Sequence, residues 1–306
     1  MPFSKKYRDQ VALLMSVIPA VAEESCFALK GGTAINLFIR DLPRLSVDID
    51  LTYLPVADRA QSLTEIDESL KRIGVRISSA LPHLTVQEST PSTQKTINKL
   101  VIRTPQRLQI KIEVTPVLRG CVYEPRMMAV SEKTEDEFGF AKINVLSFSD
   151  LYAGKVMAAL DRQHPRDLFD IHQLFENEGL TDQLRIALIV YLISHDHSPH
   201  SLLSPTSRDI SQIFETDFVG MTETEISLET LLSTRSRLIE EVKEGMTENQ
   251  KTFLVSFYKG DPEWKKLGIP GLNQLPAIRW RELNLRKAGP GTREEIVRRL
   301  EEVFSA

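Results

Sequence analysis

Apolar residues recur at helical spacing from the start of the chain. Tyr7, Val11, Leu14, Ile18 and Val21 share one stripe, which predicts an opening amphipathic helix bent near Pro19. Phe27, Ala28 and Leu29 read as a short strand running into Gly31 and Gly32. Ala34, Ile35, Leu37 and Phe38 then suggest a short buried helix from Thr33, ended by Pro43. Over residues 46–53 the period shortens to two. Val47, Ile49 and Leu51 are apolar while Ser46, Asp48 and Asp50 are polar, the pattern of a strand with one face in the core. Residues 57–73 predict a helix stopped by Gly74. Residues 97–103 and 108–118 predict two strands joined by a tight turn at Thr104, Pro105 and Gln106, with Leu108, Ile110, Ile112 and Val114 as the apolar face of the second.

After Gly120 the pattern changes. Residues 131–139 are polar and acidic, the expected linker or exposed loop. Beyond Ser149 the periodicity is almost entirely helical. Helices are predicted over 150–162, from Pro165 with Leu168, Ile171, Leu174 and Phe175 on one stripe, and over 181–194, 225–244, 248–259 and 292–304. The fold class is therefore α+β, an N-terminal α+β domain followed by an α-helical one. The boundary falls near 125–145, giving domains of 1–130 and 145–306. No internal repeat or low-complexity tract interrupts the 306 residues.

Composition narrows the function classes. With 42% hydrophobic and 26% charged residues the chain has the balance of a folded protein. The formal charge of −4 excludes a uniformly basic surface, so a phosphate-rich partner needs a local basic patch. Two cysteines, Cys26 and Cys121, cannot build a disulfide framework or a four-thiolate zinc site. Charge comes too early in the N-terminal segment for a secretion signal, and no apolar run reaches the roughly 20 residues that span a bilayer. A cytoplasmic protein without a membrane partner is expected.

The chemistry begins with Asp48 and Asp50. Residues two apart on a strand point to the same side, with Cα atoms about 6–7 Å apart. Such carboxylates repel each other, and a divalent cation such as Mg²⁺ resolves the repulsion with hard oxygen ligands. Two solvated carboxylates on a strand are the plainer alternative. Upstream, Lys30-Gly31-Gly32-Thr33 lies between a strand and a helix, where glycines let backbone N–H groups approach a phosphate; a simple tight turn is the alternative. Glu113, between core-facing Ile112 and Val114, is the candidate third carboxylate. It would ligate a second metal and help deprotonate an attacking hydroxyl.

These blocks resemble a known family. Leu29-Lys30-Gly31-Gly32-Thr33-Ala34 with Asn36-Leu37-Phe38, then Arg44-Leu45-Ser46-Val47-Asp48-Ile49-Asp50-Leu51, is similar to the first motif of AbiEii/AbiGii-type nucleotidyltransferase toxins of the polymerase-β-like nucleotidyltransferase superfamily. Lys155, Asp161-Arg162 and Arg166-Asp167-Leu168-Phe169-Asp170 resemble the family's downstream Lys … Arg-Asp-x-x-Asp motif. The motifs together span residues 29–170.

The resemblance implies a nucleotidyltransferase domain with a mixed sheet, and transfer of a nucleoside monophosphate from an NTP to an acceptor hydroxyl with release of pyrophosphate. Two Mg²⁺ ions would be held by Asp48, Asp50 and Glu113. Gly31, Gly32, Thr33 and Ser46 would line the nucleotide site, Lys155 would assist at the phosphates, and Asp167 would lie in the site. A toxin of a bacterial toxin–antitoxin or phage-defence pair is implied. Its acceptor would be RNA, first of all the 3′ end of tRNA, and its antitoxin would be encoded nearby. A protein or small-molecule acceptor and a non-enzymatic nucleotide- or RNA-binding module are the rivals; intact carboxylates beside a phosphate cradle disfavour the second. Ser46, two residues before Asp48, is expected on the metal side, where phosphorylation would silence the enzyme.

Other features have simpler readings. Asp167 and Asp170 are expected along the border of a helix stripe, with Arg166 spaced to pair with Asp170. His195, Asp196, His197 and His200 lie between predicted helices, a poor scaffold for a metal. Residues 289–292 read as a turn with Thr292 as a helix N-cap, and Trp264 and Trp280 read as packing. The basic run Arg279, Arg281, Arg286, Lys287, Arg293, Arg298 and Arg299 is the place to look for an RNA backbone. Lys95, Lys99, Arg103 and Arg107 form a second basic group.

Overall fold

The alternation around Asp48 sets the layout of the first half of the chain. In the computed structural model, which describes residues 3–90 and 96–305, Ile49 and Leu51 are fully buried while Asp48 and Asp50 lie on the opposite, partly open face. The first unit comprises residues 1–147 together with 219–225. Its elements are α1 (Lys5–Ala22), β1 (Phe27–Lys30), α2 (Gly31–Ala34) continuing into a π-helical turn over Ile35–Ile39, β2 (Asp48–Tyr53), α3 (Arg59–Ala80), β3 (Thr85–Ser89), β4 (Lys99–Arg103), β5 (Gln109–Val114), β6 (Arg126–Ala129), α4 (Glu132–Phe138) and β7 (Lys142–Val145). Among the described residues the strands form one seven-stranded mixed sheet of order β3-β4-β5-β2-β1-β7-β6. β2 runs parallel to β5 and antiparallel to β1, and β1 runs parallel to β7. Leu29, Leu51, Ile112, Val114, Leu100 and Ile102 are buried, and α1 and α3 pack on the sheet.

Several sequence expectations change here. The helix from residue 57 does not stop at Gly74: α3 continues to Ala80. Gly74 is buried inside it, and a Cβ there would meet Val86 Cγ1 at 3.4 Å. The glycine serves close helix–sheet approach, which outweighs its helix cost of about 1 kcal/mol. Residues 131–139 are a capped helix rather than a loop. Ser131 Oγ accepts from Thr134 N, Glu132 and Glu135 occupy the first turn, and Gly139 ends it at φ +90°. Acidic residues there favour the helix dipole, so the polarity that suggested a linker is a helix-start signal. The helix after Thr33 ends at Ile39, before Pro43. β2 begins at Asp48, so Ser46 and Val47 precede the strand. β3 and β6 went unpredicted because they are short, largely exposed strands at the sheet's two ends without apolar alternation.

The second unit comprises residues 148–218 and 226–306. It contains α5 (Phe148–Arg162), α6 (Pro165–Asn177), α7 (Asp182–Ser194), α8 (Pro199–Leu203), α9 (Ser211–Asp217), α10 (Leu228–Glu244), α11 (Glu248–Lys259), α12 (Pro276–Lys287) and α13 (Pro290–Ser305). Thr181, Ser227 and Thr247 cap α7, α10 and α11 through their side chains, Thr247 in a full capping box with Gln250. α13 starts at Pro290, so Thr292 lies inside the helix and does not cap it. Residues 219–225 return to the first unit. Leu45 N donates to Met221 O at 2.8 Å and Ser4 N to Gly220 O at 3.0 Å.

The α5–α6 corner is set by Gln163 at φ +52° and by His164, whose Nδ1 accepts from Arg166 N at 3.1 Å before Pro165 opens α6. Burial, reinforced by Arg166, pushes the His164 imidazole down from 6.5 to about 4 although Asp167 pulls the other way. The fold thus selects the neutral ring. Its contribution is complete above the unfolded value near 6.5 and is lost as pH falls toward 4. His164→Asn keeps a capping oxygen without a titrating proton. In urea denaturation followed from pH 7 to 4, the variant is expected to lose less of its midpoint over that window than wild type. Parallel profiles would show that His164 does not set this limb.

Candidate active site

The turn after β1 is pressed against the polar face of β2. Gly31 has φ +74°, and a Cβ there would lie 2.6 Å from Asp50 Oδ2. Glycine is required twice over, by the backbone conformation and by the carboxylate behind it. At Gly32 a Cβ would meet Arg44 Nη2 at 2.7 Å and Ser46 Oγ at 2.9 Å. Arg44 is buried, with Nη1 donating to Leu45 O at 2.9 Å. Thr33 is also buried. Its hydroxyl hydrogen-bonds the Asp48 carbonyl and Ser46 Oγ, the latter at 3.1 Å. The Thr33 side chain is thus engaged in docking the turn on the strand. Asn36 Nδ2 closes the loop by donating to Gly32 O at 2.9 Å.

Strand register then brings the carboxylates together. Asp50 is the direct partner of Glu113 on β5, and Asp48 that of Lys111. On the other side of β2, Asp50 pairs with Lys30 of β1, and beyond β5 Glu113 pairs with Lys99 of β4. Across four strands the row reads Lys30, Asp50, Glu113, Lys99. Directly opposed residues share a face, so two adjacent acids are bracketed by two cations. Lys99 Nζ lies 3.1 Å from Glu113 Oε2. Lys30 Nζ donates to Thr115 Oγ1 at 2.9 Å. Burial pushes the Lys30 ammonium below its ordinary value, and Asp50 and Glu113 oppose that shift.

The oxygen-only donors Asp48, Asp50 and Glu113 suit a hard divalent cation. As the side chains stand, no three acidic, histidine or cysteine groups converge on one point among the described residues. Glu113 is turned toward Lys99 instead. Lys30 and Lys99 in the carboxylate row, and Arg44 behind the turn, are residues to which the motif reading gave no role there. The signal for the two lysines is their register opposite acids, which the sequence does not display.

In the second unit the downstream motif is a buried ion cluster. Lys155 Nζ lies 2.9 Å from Asp167 Oδ1 and 2.9 Å from Asp170 Oδ2. Arg162 grips Asp167 with two hydrogen bonds, Nε to Oδ2 at 2.6 Å and Nη2 to Oδ1 at 3.0 Å. The Lys155 side chain is 6% exposed and that of Asp167 1%. Burial pushes the Asp167 carboxyl up, but Lys155 and Arg162 together hold it well below the usual carboxylate range. Asp167 and Asp170 are therefore interior groups facing α5, and Asp170 pairs with Lys155 where the sequence suggested Arg166.

Elsewhere, His197 Nδ1 lies 2.9 Å from Asp161 Oδ1. Of the second basic group, Lys95 falls outside the described residues and Lys99 is held by Glu113. Arg103 hydrogen-bonds Gln87 at 2.7 Å and Gln109 at 3.2 Å.

Removing one partner of a buried pair costs about 3–5 kcal/mol because the other charge is left uncompensated. Lys155→Met keeps the aliphatic stem and deletes the ammonium. It is expected to lower the unfolding free energy by about that amount in urea denaturation, besides any effect on activity. A change below about 1 kcal/mol would mean that Lys155 is not buried between the two aspartates.

Comparison with known proteins gives a family. The family model described as "Nucleotidyl transferase AbiEii toxin, Type IV TA system" matches residues 12–280. No curated protein matches in sequence. Among solved structures, MenT4, a nucleotidyltransferase toxin from Mycobacterium tuberculosis H37Rv, aligns with a TM-score of 0.58 at 12% identity, covering 93% of this chain and 94% of that one. At that identity the likeness is one of fold. Terminal uridylyl transferase 4 from Trypanosoma brucei with bound GTP aligns at 11% identity over 100% of this chain and 92% of that one, with a TM-score of 0.32, too low for a shared fold to be read from it.

Proposed function

The chain belongs to the AbiEii family of nucleotidyl transferase toxins, and from that premise we propose that it transfers a nucleoside monophosphate from an NTP to the 3′ hydroxyl of an RNA, tRNA first of all, and so stops translation. One juxtaposition carries the reading: a Gly-Gly turn packed directly behind Asp50, with Asp50 in register beside Glu113. A phosphate cradle and a carboxylate pair on rigid elements are what in-line transfer to a phosphorus centre needs, since most of the catalysis is positioning and charge neutralisation.

Mg²⁺ fits the chemistry of the donors. Asp48 and Asp50 would hold it, and Glu113 would join them on leaving Lys99. When bound, Mg²⁺ supplies neutralisation of the phosphate charge and favours ionisation of the acceptor hydroxyl. The remaining work belongs to the chain. Gly31 and Gly32 present backbone at a helix start to the triphosphate. Glu113 takes up the proton as the acceptor oxygen bonds to the α-phosphorus and the bond to pyrophosphate breaks. The Lys155 ammonium is engaged by Asp167 and Asp170 and holds the downstream motif together. A cognate antitoxin encoded nearby would hold the activity in check.

The test is incubation of the purified chain with each α-labelled NTP, total RNA and total protein. Label is expected at RNA 3′ ends. Asp48→Asn and Asp50→Asn are each expected to reduce transfer by about 10²–10³-fold or more. The unfolding midpoint of Asp48→Asn should stay unchanged or rise, because it removes like-charge repulsion without touching the core, whereas Asp50→Asn also removes a charge that offsets the burial of Lys30. Label on protein alone would replace the acceptor, and full activity in either variant would remove the carboxylate centre.

Ser46 provides a second test. Its Oγ lies against Thr33 and the Gly32 position, so a phosphate there, carrying about −1.5 to −2 charge, would compete with the triphosphate for the turn. Ser46→Glu is expected to be silent while Ser46→Ala retains transfer. Equal activity in the two would place Ser46 away from the nucleotide.

A further inference from the structure

The basic run near the C-terminus is not uniform once folded. On α13, Arg298 lies between Glu295 at 2.8 Å and Glu302, and Arg299 pairs with Glu295 at 2.6 Å. These arginines are neutralised within their own helix. Arg281 of α12 donates to His197 O at 3.0 Å and sits over the Tyr258 ring at 5.9 Å, so it is used internally. Besides Arg293 of α13, which is partly buried, what remains is the outer face of α12. Arg279, Trp280, Leu283, Arg286 and Lys287 are exposed there, Trp280 at 52% and Leu283 at 43%. Their spacings of three, four and seven residues put them on one side of the helix. Arg286 and Lys287 are in no ion pair among the described residues, and Arg279 bonds only to the neutral Gln274, which leaves its charge uncompensated. The one acid of α12, Glu282, is half-buried.

An indole open to solvent, an apolar neighbour and three uncompensated cations form a surface complementary to a single-stranded polyanion with exposed π-faces. Bases stack on aromatic side chains while cations track the backbone. An acidic protein could use the cations, but it would not need a bare indole between them. We propose that the outer face of α12 is a docking platform for single-stranded nucleic acid, with Trp280 stacking a base and Arg279, Arg286 and Lys287 holding phosphates. The platform would anchor the acceptor strand, and to that extent it rests on the function proposed above. Arg279 and Arg286 are separated by seven residues, about 10 Å along the helix axis, so the platform engages a strand rather than a single nucleotide.

The test separates docking from transfer. Binding of a fluorescein-labelled single-stranded RNA of mixed sequence to the full chain, without NTP, is measured by anisotropy and by quenching of tryptophan emission, with a duplex of the same length as the comparison. Three phosphate contacts predict a log–log salt slope of about −2 for the single strand. Trp280→Ala is expected to weaken binding about ten-fold or more and remove most of the quenching, with Trp280→Phe restoring much of the affinity. Arg286→Glu/Lys287→Glu changes only exposed side chains, so folding is not at stake. It should weaken binding and flatten the salt slope, and raise KM for the RNA acceptor while leaving KM for the NTP unchanged. If wild type transfers to RNA and these variants match it in binding and KM, the platform is refuted and the proposed function stands. If no RNA is ever labelled but the strand still binds and quenches through Trp280, the transfer reading fails and the platform survives. Loss of binding to the cognate antitoxin with RNA binding intact would make the face a protein interface and overturn the proposal.

Discussion

Two carboxylates held side by side on adjacent strands are the constraint around which the first unit is arranged. Asp50 and Glu113 are direct partners in the β2–β5 ladder, with backbones about 4.8 Å apart. Like charges directly opposite each other in a sheet are destabilising. The sheet offsets this with cations in the same row, Lys30 on one side and Lys99 on the other. The arrangement holds a concentrated negative charge on a rigid frame, with Ile49, Leu51, Ile112 and Val114 buried on the opposite face. A site of that kind is costly to fold and favourable for binding cations.

The glycine turn is the second half of the same design. Because Gly31 sits against the Asp50 carboxylate at positive φ, the chain leaves β1 and starts a helix within one residue. Arg44, Ser46 and Thr33 then fill the space around Gly32. The hydroxyl of Thr33 and the guanidinium of Arg44 support the turn. Thr33 and Arg44 are buried and bonded, as positioning demands.

In the second unit a different balance rules. Lys155, Asp167, Asp170 and Arg162 form a buried cluster at the α5–α6 corner. Burial penalises each charge, and only mutual pairing makes the cluster tolerable. Such a cluster fixes one geometry more sharply than apolar packing, at the expense of stability.

How much of this was legible beforehand follows from the range of the interactions. The strand carrying Asp48 and Asp50, the Gly-Gly turn, Glu113 opposite its core-facing neighbours and the α+β order were all readable, because each rests on periodicity or on conformational demands local to a few residues. The short exposed strands β3 and β6 and the capped helix α4 were missed, since edge strands lack apolar alternation and an acidic helix start resembles a loop. Neither Lys30 beside Asp50 nor Lys99 beside Glu113 could be read from order along the chain. Nor could it be read which arginines of the basic run are neutralised and which stay open. Strand register and helix facing decide those pairings, and both are set by contacts between residues far apart in sequence. The sequence by itself determined which candidate groups stand on which elements; only the tertiary structure decided which charge each one faces, because electrostatic partnership depends on distance in space.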